Sequence, residues 1–114
     1  MDAPRASIPS VIVSYQAAHD RHDVDAALAA FTDDAVVRDE DETWAGADAI
    51  RQWLVKTSSE YTYTRTLLGA EPVGTPSSWL VRNRLEGNFP GNVVDLRYEF
   101  ILEGDRIAAL TIAP

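Results

Sequence analysis

The 114-residue sequence contains no cysteine, so disulfides, thiolate nucleophiles and cysteine metal ligands are excluded. Lysine is nearly absent too. Lys56 stands alone with nine scattered arginines against eighteen acidic residues, for a net charge of −8. No basic stripe is available to track phosphates, so nucleic acid is not expected as a partner. An anionic membrane surface would repel such a chain. No apolar run approaches the roughly 20 residues that span a bilayer. The start, MDAPRASIPS, lacks the basic-then-apolar order of a signal peptide, which makes the cytoplasm the expected location. Histidine occurs only at His19 and His22, with no HxxxH or HExxH pair, so neither a metal site nor a cofactor is expected.

What is present suits one globular domain over residues 1–114, with 46% apolar and 25% charged residues. Ser7 can cap a helix with Pro9 in its first turn. Ile8, Val11, Ile12, Tyr15 and His19 then share one helical face. Asp23 caps a second helix with Val24, Ala27, Leu28 and Phe31 on one side. Ala35 to Asp39 reads as a short strand, followed by a turn and a second short strand near Thr43-Trp44. Gly46 leads into a third helix that turns Ile50, Trp53 and Leu54 inward. From Tyr61 onward the period changes to two. Tyr61–Glu71 is a strand. Gly74-Thr75-Pro76-Ser77 is a turn. Trp79, Val81, Asn83 and Leu85 share a strand face, as do Val94, Leu96, Tyr98, Phe100 and Leu102 after the Gly87–Asn92 loop. Gly104-Asp105 forms a tight hairpin, and Ile107–Ile112 closes the sheet. Helices followed by a meander of strands make an α+β fold.

The stretch FTDDAVVRDEDETWAG holds six of the eighteen acidic residues. A strand that should enter a core ends in carboxylates. Such residues usually form a solvated turn, and that reading suits Glu40, Asp41 and Glu42. Asp39 differs because it shares a strand face with Val37. If Val37 points inward, so does Asp39, and desolvation then raises its pKa.

The order of elements, with FTDDAVVRDEDETWAGADAIRQWL, resembles the nuclear transport factor 2 fold superfamily of ketosteroid isomerases, limonene-epoxide hydrolases and SnoaL-like polyketide cyclases. The resemblance covers about residues 8 to 113. It implies a cone-shaped roll, with three N-terminal helices packed on a strongly curved mixed or antiparallel sheet. In the ketosteroid isomerases a first-helix tyrosine donates to the developing oxyanion and a strand-end aspartate is the general base. The matching positions here are Tyr15 and Asp39. A late-strand aspartate of that family falls at Tyr98, or at Arg97 in an ungapped match; alternation favours Tyr98. Two supporting tyrosines of the family are replaced by Phe31 and Leu54.

Each candidate has a plainer reading beside it. Tyr15 can be a core tyrosine, His19 a helix-end polar residue, and Trp53 and Trp79 core or pocket wall. Asn83 is a polar residue on an otherwise apolar face, and its amide needs partners if buried: a ligand, water or backbone. The resulting expectation is a SnoaL-like small-molecule protein. Asp39 and Tyr15 would be its acid–base pair, and Tyr98, His19, Trp53, Asn83, Phe31, Leu54 and Trp79 would line a pocket for a small hydrophobic, carbonyl-bearing molecule. Isomerase or cyclase chemistry by proton transfer beside a carbonyl is one reading. A non-enzymatic binding or dimerisation module is the second, and epoxide hydrolysis a more distant third. Charged outer-face residues suggest a homodimer.

Overall fold

A computed structural model of the chain describes residues 8–60 and 62–114. Ser7 and Tyr61, named above as a cap and as the start of a strand, lie outside the described residues. Among the described residues there are three helices, α1 (Ser10–Asp20), α2 (Val24–Ala29) and α3 (Ala47–Glu60). Six strands accompany them: β1 (Phe31–Asp39), β2 (Glu42–Ala45), β3 (Tyr63–Val73), β4 (Thr75–Gly87), β5 (Val93–Glu103) and β6 (Arg106–Ala113).

Helix α1 begins after Pro9, whose carbonyl accepts from the Ile12 and Val13 N–H groups. It buries Ile12, Tyr15, Ala18 and His19. Asp23 caps α2, its Oδ1 accepting from Ala26 N–H at 3.1 Å. The expected extension of α2 through Phe31 does not occur. The helix stops at Ala29, and Phe31 opens β1 as the partner of Ile107, while Ala30 carbonyl accepts from Ile107 N–H at 2.8 Å. An aromatic residue gains more from sheet pairing than from one further helical turn. Gly46, at φ +89°, makes the turn that launches α3, and Ile50, Trp53 and Leu54 are buried on the inner face of that helix.

The sheet runs β2-β1-β6-β5-β4-β3, antiparallel except for the parallel β1–β6 pair. It is therefore mixed, and it is open. The expected strongly curved, cone-shaped roll is not what the chain forms. Closure requires the two edge strands to meet, whereas the four-residue β2 pairs with β1 and β3 pairs with β4. Paired strands align the inward side chains in rows. Val37, Leu110, Phe100 and Trp79 form one row, and Asp39, Ile112, Tyr98 and Val81 the next. The core lies between these rows and the buried faces of α1 and α3.

Candidate functional site

Asp39 is the last residue of β1. Glu40 and Asp41 follow with φ of +53° and +65°, and Asp39 pairs with Glu42 across that two-residue turn. The acidic run divides here. Glu40, Asp41 and Glu42 are exposed, while Asp39 is half-buried on the same face as the fully buried Val37. Trp53 on α3 donates its indole N–H to Asp39 Oδ2 at 3.0 Å. Burial raises the Asp39 pKa above its ordinary value; the Trp53 hydrogen bond and the Lys56 ammonium pull the other way without cancelling it.

Behind this carboxylate runs a buried polar chain. Tyr15 and His19 are one helical turn apart, and the Tyr15 hydroxyl lies 2.9 Å from His19 Nδ1. His19 Nε2 lies 2.8 Å from Thr57 Oγ1. The Thr57 hydroxyl donates to Trp53 carbonyl at 3.0 Å, so its oxygen accepts from His19 Nε2–H. This network assigns the Nε2–H tautomer of His19 and leaves Nδ1 to accept from Tyr15. Burial, with Arg65 nearby, lowers the His19 pKa to about 4, which keeps the imidazole neutral at pH 7. Burial also holds the Tyr15 phenol well above its ordinary pKa. The His19 ring meets Trp53 edge-on at 5.2 Å, and Tyr15 contacts Phe31 and Phe100 at 5.3 and 6.0 Å between centroids.

Tyr98 lies on the inward row of Asp39, with Ile112 between them, and stacks on Phe100 at 6.3 Å. Its neighbour Arg97 is exposed on the opposite face of the strand, as alternation expects. Burial raises the Tyr98 phenol pKa as well. The Arg65 guanidinium lies 5.1 Å from the Tyr98 ring centroid and is clamped by Asp20, with Nε 3.0 Å from both carboxylate oxygens.

The structure thus brings together Asp39, Trp53, His19, Tyr15, Phe31 and Tyr98. Leu54 is fully buried nearby, and its carbonyl lies 3.3 Å from the Thr57 hydroxyl. Trp79 sits one row away, beside Phe100. Asn83 does not join this group. It lines a cavity on another flank of α1, with Gln16, Asp20 and Arg65. Sequence reasoning missed Thr57 and Asp20. Thr57 was findable, because it lies one turn beyond Trp53 on α3. The Asp20–Arg65 pairing joins residues 45 apart in sequence, and no local pattern marks it. Among the described residues no cluster of metal-binding side chains is present, and no helix is long and apolar enough to cross a membrane.

Comparison with known families finds a match to the SnoaL-like domain over residues 12–110. A Sinorhizobium meliloti protein provisionally named a polyketide cyclase is 35% identical, with a TM-score of 0.86, covering 93% of this chain and 95% of its own. A Catenulispora acidiphila protein with a ketosteroid isomerase-like fold, solved with trimethylamine, is 18% identical at a TM-score of 0.81, covering 93% of this chain and 85% of its own. The epoxide hydrolase/cyclase-like enzyme SalBIII, of pyran ring formation in salinomycin, is 18% identical at a TM-score of 0.78, covering 90% and 86%. A search of curated proteins returned no match.

Proposed function

Since the chain belongs to the SnoaL-like domain family, we propose that it is a small-molecule enzyme in which Asp39 removes a proton from carbon beside a substrate carbonyl. The observation that carries this reading is the half-buried Asp39 carboxylate, held through one oxygen by Trp53 and raised in pKa by desolvation. A carboxylate so placed is a stronger base than one in water, and it is oriented before substrate arrives. The proton moves from carbon to the carboxylate, and the electron pair moves onto the carbonyl oxygen as an enolate. That oxygen needs a donor. Tyr98 is suited to the role, because it lies on the row of Asp39 and its raised pKa keeps the phenol protonated. Returning the proton to another carbon completes an isomerisation, whereas attack by the enolate carbon on a second carbonyl, whose oxygen takes the proton back from Asp39, completes a cyclisation.

In this reading Tyr15 supports the site from behind. Its one proton is already donated to His19, and turning it to substrate would leave a buried His19 Nδ1 unpaired. The Tyr15–His19–Thr57 chain instead fixes the helix face from which Trp53 reaches Asp39. A homodimer through the outer sheet face remains part of the proposal. That face carries the Arg84–Asp95 pair at 2.8 Å and the half-exposed Ile101.

The test is hydrogen–deuterium exchange at carbon next to the carbonyl of cyclic ketones and β-diketones, followed by NMR in deuterated buffer. Wild type should accelerate exchange in at least one probe, and Asp39→Asn should lose that acceleration while remaining folded. Equal rates in the two proteins would remove Asp39 from the chemistry.

A further inference from the structure

Another polar group lies outside the Asp39 site. A cavity of about 160 Å³ sits against α1 and is lined from the sheet by Arg65 and Leu67 of β3 and Asn83 of β4. Three side chains lining it carry buried nitrogen atoms with no hydrogen-bond partner among the described residues: Gln16 Nε2, Arg65 Nη1 and Asn83 Nδ2. Asn83 Oδ1 is buried and unpartnered as well, and Asn83 as a whole is 0% exposed. Buried polar atoms are almost always paired, because an unpaired one forfeits its hydration without return. Four of them around one cavity form a pattern that a ligand can complete.

The charge balance restricts the ligand. Arg65 spends Nε and Nη2 on Asp20, at 3.0 and 2.9 Å, so the guanidinium charge is already compensated. What remains is three donors and one acceptor. An ionised carboxylate or phosphate offers acceptors only; it would leave Asn83 Oδ1 unpaired and would be repelled by the Asp20 carboxylate. A carboxamide offers a carbonyl and an N–H on one edge, the complement of the Asn83 amide. Exchanging O and N of Asn83 leaves that match intact. The second lone pair of the ligand carbonyl can accept from Arg65 or Gln16. Ile8, Val13 and Leu67 supply an apolar wall for the rest of the molecule. A cavity of roughly 150 Å³ holds a benzene ring, which sets the size.

We propose that this cavity binds a neutral, carboxamide-bearing small molecule about the size of a substituted ring, held by Gln16, Arg65 and Asn83. The site uses none of the groups assigned to proton transfer at Asp39.

Calorimetric titration of the full chain with benzamide, benzoate and toluene, with amide NMR to locate the response, tests this. Benzamide should bind at least tenfold more tightly than either of the others, with shifts centred on Gln16, Arg65 and Asn83. Asn83→Leu removes both unpaired amide atoms at similar volume and should weaken benzamide at least tenfold. Gln16→Met, on the less buried helix side, should weaken it several-fold and decides the matter if Asn83→Leu does not fold. Asp39→Asn should bind benzamide as wild type does, whatever happens to proton exchange. The proposal is overturned by any of four results: no benzamide binding at millimolar concentration, equal binding of toluene, preference for benzoate, or unchanged benzamide affinity in the folded variants.

Discussion

His19 shows how one buried side chain couples the site to pH. Its pKa is about 4 in the fold against 6.5 in the unfolded chain. The folded state therefore binds fewer protons between those values, so stability is full above pH 6.5 and is lost as pH falls toward 4. The gap corresponds to about 3 kcal/mol. Asp39 acts with the opposite sign. Its folded pKa is raised, so its contribution is present below the unfolded value and lost as pH rises through the folded one. Urea titrations at pH 7 and pH 4.5 should show wild type losing on the order of 2 kcal/mol, and His19→Gln losing much less. A wild type equally stable at both pH values would mean that His19 is not the buried neutral hinge of the Tyr15–Thr57 chain. The sequence made the Tyr15–His19 contact legible, since residues four apart on a helix are neighbours. Thr57 was legible as a neighbour of Trp53 one turn away on α3, but not as the partner of His19, because that contact spans 38 residues.

Among the elements, the β1–β2 hairpin carries backbone strain beside the proposed base. Glu40 and Asp41 both have positive φ, as a two-residue turn of the primed kind requires, yet neither is glycine or asparagine. A left-handed conformation costs an L-residue roughly 1–2 kcal/mol. Asp41→Gly should therefore stabilise the protein by about 1 kcal/mol, after allowing for the greater freedom glycine has when unfolded. Chemical denaturation measures this, and a destabilised variant would show that the Asp41 side chain matters more than the backbone does. Element types were largely readable, because apolar period distinguishes α1 and α3 from β4 and β5. The early start of β1 at Phe31 was not. It depends on parallel pairing with Ile107, a contact across the whole chain. The same holds for the open sheet, since alternation along one strand says nothing about whether the outermost strands meet.

At the scale of the whole molecule, the proposed dimer uses the outer face of the sheet. Arg82 and Arg97 lie directly opposite each other there, an unfavourable cross-strand pair that Glu99 offsets at Arg97 from 3.7 Å and that a partner's carboxylates would offset further. Such a dimer should bury on the order of 1,200–2,000 Å² in total. Sedimentation at tens of micromolar should show it, and Ile101→Glu should shift the population to monomer. Monomer throughout in wild type would refute the interface. The proposed base is Asp39, the carboxylate that leaves the acidic run and enters the protein. It is tested most directly by NMR titration of the ¹³C-labelled Asp39 side chain in the full chain. The midpoint should lie above the ordinary aspartate value of about 3.9, and the Trp53 indole proton should shift in the same titration. A midpoint at or below that value, with no response from Trp53, would make Asp39 one more solvated charge in the turn and contradict its assignment as the base.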